Sequence, residues 1–303
     1  PTPVPEFVRK AMSDVTLHHR TPEFEAIFAK TRSLLLEILG TPECVMIASS
    51  GTGAMEACIT NLCHSKALTV NAGKFGERFG KICQAFDIEN TELKYDWNTP
   101  ASVDDVLSAI KSDDKIDAIY IQICESAGGL RHPVEAIAKA VKEINNDIMI
   151  IADGITAIGV EKIDVSNIDA VITGSQKALM LPPGLSMIGF SDAAVEKINT
   201  KPAGYYLNLA SEIKKQKQNT TAYTAATTLI IGLGSILEKI KEIIGNEDGN
   251  HIVMTSCGMS AKVLICDLYK IYPKGIYLDI GSGLDTICTK RSTRGLAFDY
   301  NIA

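Results

Sequence analysis

Met46-Ile-Ala-Ser-Ser-Gly-Thr-Gly-Ala-Met-Glu56 is the stretch that decides the fold. A short apolar run leads into Ser49-Ser50-Gly51-Thr52-Gly53 and then into helix-forming residues, which predicts a strand, a glycine turn and a helix start. The first N–H groups of such a helix have no intrahelical acceptor, so together with the hydroxyls of Ser50 and Thr52 they suit a phosphate dianion. The dinucleotide fingerprint is poorly met, because Glu56 stands where its third glycine would be, and no Gly-Lys-Ser/Thr follows for a P-loop. Taken alone, glycines at a strand-to-helix turn also need no ligand.

Outward from this stretch the same alternation repeats. Strands are expected at Val45–Ala48, Leu68–Val70, Ala118–Ile123, Met149–Ala152, Ala170–Thr173 and Ser186–Phe190. Helices are expected at Glu23–Leu39 and near 53–63, 76–86, 102–112 and 133–145. Strands separated by single helices predict an α/β fold with a mostly parallel sheet covered on both faces, and in such sheets ligands bind at the carboxyl ends of the strands. The polar stretch Ser211–Thr220 interrupts the rhythm, and a long apolar helix at about 223–243 follows.

Composition narrows the function. The chain has 303 residues and 30 Lys+Arg against 36 Asp+Glu, a net charge of −6, so no general positive field exists to attract nucleic acid. No apolar run is long enough to span a bilayer, and Pro1-Thr-Pro-Val-Pro5 lacks the features of a signal peptide, so a cytoplasmic location is expected. The 8 cysteines include no Cys-x-x-Cys pair and read as reduced core residues. Cys63-His64 would be half of a metal site, but no second pair lies at ligand spacing, so no metal is implied.

Two further loops carry chemistry. Asp153 ends the run Ile150-Ile-Ala-Asp153, where it is either a helix cap or a carboxylate set against a cationic ring nitrogen. Lys177 lies in Thr173-Gly-Ser-Gln-Lys177-Ala-Leu-Met-Leu-Pro-Pro-Gly184, between a buried strand and a rigid turn. A lysine is ordinarily a solvated surface residue, yet partial burial among apolar neighbours would free its amine for Schiff-base chemistry. A phosphate cradle, a ring-nitrogen carboxylate and an imine-forming lysine together specify pyridoxal 5'-phosphate.

Six motifs then occur in the order of a known family. They are Pro1-Thr-Pro-Val-Pro-Glu6, Ser49-Ser-Gly-Thr-Gly-Ala-Met-Glu-Ala57, Val70-Asn-Ala-Gly-Lys-Phe-Gly-Glu-Arg78, Cys124-Glu-Ser-Ala-Gly-Gly129, Asp153-Gly-Ile-Thr-Ala-Ile-Gly159 and Gly174-Ser-Gln-Lys-Ala-Leu179. Over residues 1–243 the chain resembles the class V, fold-type I pyridoxal-phosphate aminotransferases, in the alanine–glyoxylate and serine–pyruvate branch. The resemblance implies a large domain built on a mostly parallel seven-stranded sheet between helices. It makes Lys177 the Schiff-base lysine and proton carrier, and Asp153 the partner of the pyridinium nitrogen. It stacks Phe75 on one cofactor face and Ile155 on the other. It gives the phosphate to Ser50, Gly51, Thr52 and Gln176, and puts Ser126 near the phenolic oxygen. Tyr223 and Thr224 would reach the phosphate of a neighbouring subunit, which makes the expected enzyme a homodimer.

After about residue 243 the match ends. Residues 244–250 read as a linker, and 251–303 as a short, atypical α/β segment with a run His251–Thr255, a helix at about 258–271 and a strand Gly275–Ile280. Thr255-Ser-Cys-Gly-Met-Ser-Ala-Lys-Val-Leu-Ile265, Tyr277-Leu-Asp-Ile-Gly-Ser-Gly-Leu-Asp285 and Lys290-Arg-Ser-Thr-Arg-Gly295 resemble the closing part of a bacterial Rossmann-like glycosyltransferase. The family's domain that supplies the substrate-carboxylate arginine is not recognisable here, which leaves Arg291 and Arg294 as substitutes. The expected activity is transfer of an amino group from a small amino acid, of alanine or serine type, to a 2-oxo acid such as glyoxylate or pyruvate. The alternative is a catalytically weak cofactor-binding scaffold linked to surface-glycan synthesis.

Overall fold

A computed structural model of the chain describes residues 2–245, 252–255 and 276–279, giving the backbone alone for 243–245 and the last two segments. In chain order the elements are α1 (Glu6–Met12), α2 (Pro22–Leu39), β1 (Glu43–Ile47), α3 (Gly51–Leu62), β2 (Lys66–Asn71), α4 (Gly76–Ala85) and β3 (Asn90–Lys94). Then come α5 (Val103–Ser112), β4 (Ile116–Gln122), β5 (Cys124–Glu125), β6 (Leu130–Arg131), α6 (Val134–Ile144), β7 (Met149–Asp153), β8 (Ala170–Gly174) and β9 (Ser186–Phe190). Helices α7 (Asp192–Thr200), α8 (Leu209–Gln216) and α9 (Thr227–Gly245) precede the strands β10 (Ile252–Thr255) and β11 (Ile276–Asp279).

Seven strands form one sheet in the order β1-β9-β8-β7-β4-β2-β3. Every pairing is parallel except those of β9, which runs antiparallel to β1 and to β8. Strands β1, β7, β8 and β9 are buried at each residue, as their continuous apolar text requires. Alternate side chains feed two cores. Cys44 and Met46 join the layer built with α2, α5, α6 and α9, whereas Val45 and Ile47 join the layer built with α3, α4, α7 and α8.

The sheet differs from the sequence reading at one edge. Strand β3, Asn-Thr-Glu-Leu-Lys, was not among the six expected strands; it pairs with β2 alone and none of its residues is buried, so it needs no apolar run. The polar stretch at 211–220 is a second correction, since helix α8 runs through it. Leu209 and Ile213 are buried there beside Glu212 and Gln216, and Gln216 exchanges hydrogen bonds with both backbone groups of Met46 at 2.9 and 2.8 Å. The long apolar helix starts at Thr227 and not at 223, which leaves Tyr223 and Thr224 in the turn before it. It ends at Gly245, so the first residues of the expected 244–250 linker are helical.

Strands β10 and β11 pair in parallel, with Ile252 opposite Ile276 and Thr255 opposite Asp279. They stand where His251–Thr255 and Gly275–Ile280 were expected. The expected helix at 258–271, with Arg291, Arg294 and the rest of the glycosyltransferase-like motifs, lies outside the described residues. No described helix is long and apolar enough to cross a membrane.

Candidate active site

The loops leaving the carboxyl ends of β1, β2, β4, β7 and β8 carry all the expected site residues except Tyr223 and Thr224. That is where an open parallel sheet places a ligand. Along β4, Tyr120 packs on Phe79 of α4, with ring centres 5.2 Å apart, and its hydroxyl donates to the Cys58 carbonyl of α3. Two residues on, Gln122 therefore faces the same α3–α4 side. Gln122 and Asp153 are register partners on β4 and β7, so the two side chains share that face.

Asp153 is 5% exposed. Burial pushes its carboxyl up to about 6; the Ile155 N–H donated to Oδ1 at 3.0 Å opposes this, Glu125 adds to it, and the charges of Arg78 and Lys177 pull it back. Lys177 is thus within electrostatic reach of Asp153. It is half-buried, and its ammonium has no ion pair or hydrogen bond among the described residues. The loop around it is tied down through its backbone. Thr2 donates its N–H to the Gln176 carbonyl at 3.0 Å, and its hydroxyl contacts the carbonyls of Gln176 and Lys177.

Ser50 precedes α3 with an extended backbone but its side chain makes no cap hydrogen bond; its carbonyl takes the Gly53 N–H at 2.9 Å, which leaves the N–H groups of Gly51 and Thr52 for another acceptor. Gly51 leaves room for Ile155: a Cβ there would stand 2.2 Å from Ile155 Cδ1, so the isoleucine side chain would have to turn away. Thr52 Oγ1 accepts from Arg78 Nη1 at 2.9 Å, and the Arg78 guanidinium lies over the Phe75 ring at 5.0 Å from its centre. The structure thus gathers Gly51, Thr52, Phe75, Asp153, Ile155 and Lys177 into one region.

Gln176 lies two residues past the end of β8, with its Oε1 buried and without a hydrogen-bond partner among the described residues. Ser126 is half-buried next to Glu125. Tyr223 and Thr224 line a small cavity with Met46, Ile47, Ala48 and Leu185, beside the end of β1. Tyr223 stacks on Tyr206 with ring centres 5.2 Å apart, and the Tyr206 hydroxyl donates to the Ala48 carbonyl at 3.5 Å.

Sequence reasoning missed three residues here. Glu125 is fully buried and accepts the N–H groups of Phe75 (2.9 Å), Gly76 (2.8 Å) and Ala127 (3.0 Å), which fixes the start of α4. Gln122 is fully buried, and neither amide atom is hydrogen-bonded among the described residues. Arg78 links two loops as described. Arg78 and Glu125 lie inside the motifs of the sequence, but Thr52 for one and Phe75 and Gly76 for the other come from other segments of the chain. Cys63-His64, by contrast, serves a turn: Asp117 accepts the His64 N–H at 2.9 Å and lies 3.6 Å from the Cys63 Sγ, and burial pushes that thiol up to about 12.

An uncapped helix start beside a guanidinium that has no carboxylate partner among the described residues suits an anion. Known proteins carry the same combination of sequence and fold. An uncharacterised aminotransferase of Helicobacter pylori (strain J99) is 47% identical over 274 residues, covering 90% of this chain and 74% of its own length. The L-aspartate–glyoxylate aminotransferase of Paracoccus denitrificans is 29% identical, covering 79% of this chain and 63% of its own length. The crystal structure of a subgroup IV aspartate aminotransferase from Thermus thermophilus superposes with a TM-score of 0.74 at 32% identity, over 81% of this chain and 71% of that one. The sequence model of the aminotransferase class-V family matches residues 4–253, and the chain belongs to that family.

Proposed function

We propose that the chain is a pyridoxal-phosphate-dependent transaminase that moves the amino group of a small amino acid to a 2-oxo acid. The observation that carries this reading is the convergence of a buried Asp153, a half-buried Lys177 that makes no direct ion pair among the described residues, and the uncapped start of α3. When bound, the cofactor supplies an aldehyde that takes the amino group and a protonated ring that spreads the negative charge left at the α-carbon.

The chain's own residues do the rest. Asp153 keeps the ring nitrogen protonated; a cation at its carboxylate favours the ionised form and offsets the rise caused by burial. Lys177 holds the cofactor covalently and moves the α-proton, for which its amine has to be free of a permanent partner. Ser50, Gly51, Thr52 and Gln176 would hold the phosphate, Phe75 and Ile155 would lie against the ring, and Ser126 would serve the phenolic oxygen. By orienting the bound group, Phe75 and Ile155 would select which α-bond breaks. Tyr223 and Thr224 complete the phosphate site of a second copy, so the working unit is a homodimer.

Substrate choice follows the relatives' names and the family resemblance. The names of the relatives described above suggest aspartate as donor and glyoxylate as acceptor; alanine and serine as donors and pyruvate as acceptor are proposed from the family resemblance. The test adds these donors one at a time to cofactor-loaded protein and follows the cofactor absorbance. A spectral change reversed by glyoxylate or pyruvate is expected. Unchanged spectra with every donor, in protein that holds the cofactor, would instead mark a binding scaffold.

A further inference from the structure

We infer that Arg78 is a positioning residue, whose single guanidinium holds Thr52 and Phe75, from two separate loops, in the places where they meet the cofactor. The inference rests on the reading that this loop cluster binds pyridoxal phosphate.

Arg78 stands in the first turn of α4, three residues after Phe75. Its side chain turns back over its own helix start, with Cζ 5.0 Å from the Phe75 ring centre and Nη1 on Thr52 Oγ1 at 2.9 Å. A planar guanidinium can do both at once, because its face stacks while its edge donates. Phe75 is held from the other side by Glu125, which accepts its N–H. The ring that is to lie against the cofactor is therefore fixed at backbone and at side chain.

The charge pattern indicates that this arrangement is for a ligand. Among the described residues the other half-buried arginines, Arg32 and Arg131, are both ion-paired, with Glu43 and with Glu135 and Glu161. Arg78 has no carboxylate partner among the described residues. It is instead directed at the start of α3, which is already the positive end of a helix dipole, so the cation and the helix repel each other until an anion arrives. Its charge also acts on Asp153, alongside Glu125 and Lys177, with the buried Cys58 thiol as a further neighbour.

The test titrates pyridoxal phosphate into full-length wild type, Arg78→Gln and Arg78→Lys from about pH 5 to about pH 8, and records unfolding of the cofactor-free proteins. Arg78→Gln is expected to bind about tenfold or more weakly, the loss of one charge-assisted hydrogen bond, and its affinity is expected to fall off at a higher pH than in wild type. Arg78→Lys keeps the charge, so its pH midpoint stays, but one ammonium cannot both stack and reach Thr52, so its affinity still drops. A purely structural residue would lower the unfolding midpoint and leave the pH midpoint where it was. Wild-type affinity and pH midpoint in Arg78→Gln would overturn the inference; if that variant does not fold, wild-type affinity in Arg78→Lys overturns it. Failure of the wild type to take up cofactor would overturn the underlying reading as well.

Discussion

Ile155 occupies the space that a side chain on Gly51 would need, with its Cδ1 2.2 Å from the position of a Cβ there. The contact joins the loop after β1 to the loop after β7, two strands that are not neighbours in the sheet. Gly51→Ala is expected to turn the Ile155 side chain away, costing about 1 kcal/mol, and to weaken cofactor binding. Removing the offending methyl in Gly51→Ala/Ile155→Val should restore part of the affinity. A double-mutant cycle with no coupling between the two sites would refute the contact.

Lys177 is the residue on which the covalent chemistry depends. Borohydride treatment of cofactor-loaded protein is expected to fix the cofactor to the peptide containing Lys177, and Lys177→Ala to abolish that mass increase. Labelling of another lysine in the wild type would remove Lys177 from its role.

Asp153 gives a pH-dependent prediction in the cofactor-free protein. Its folded-state value of about 6 lies above the ordinary 3.8, so this group favours the folded state below pH 3.8 and loses that advantage as the pH rises through 6. Two units correspond to about 3 kcal/mol. Asp153→Asn should therefore be more stable than wild type in urea at neutral pH, with the gain fading between the two values as the pH falls. The same variant should bind cofactor weakly, because an amide cannot neutralise a ring cation. Equal stability at neutral pH would show that burial does not strain this carboxyl.

Glu125 accepts three backbone N–H groups from two loops. In Glu125→Gln the amide N–H₂ would face one or more of those donors, so a loss of about 2 kcal/mol is expected in chemical unfolding. Cofactor affinity should fall with it, since Phe75 loses its backbone anchor. Full stability of the variant would mean that another acceptor replaces the carboxylate.

Tyr223 and Thr224 predict that cofactor affinity depends on protein concentration. Dilution to a confirmed monomer is expected to loosen the cofactor. Undiminished affinity in the monomer would assign the phosphate entirely to residues of one chain.

The central strands were legible because a strand buried on both faces has to be written in apolar residues, as in Met149-Ile-Ile-Ala. The same rule hid β3 and α8. At an edge, Asn90–Lys94 keeps polar side chains, and in α8 the buried Glu212 and Gln216 satisfy each other at 2.9 Å, a pairing invisible to a count of apolar residues. The site divides along similar lines. Lys177, Asp153 and the glycine turn lie in local patterns and could be read, whereas Arg78 and Glu125 owe their roles to partners 26 and 49 or 50 positions away.

The tether from Thr2 to the carbonyls of Gln176 and Lys177 ties the segment before α1 to the loop that carries the amine, across 174 and 175 positions of sequence. Whatever loosens residues 2–5 from the body is therefore expected to slacken that loop without touching the lysine side chain. A fall in turnover in Thr2→Ala would then report a detached guy-rope and not a damaged catalyst.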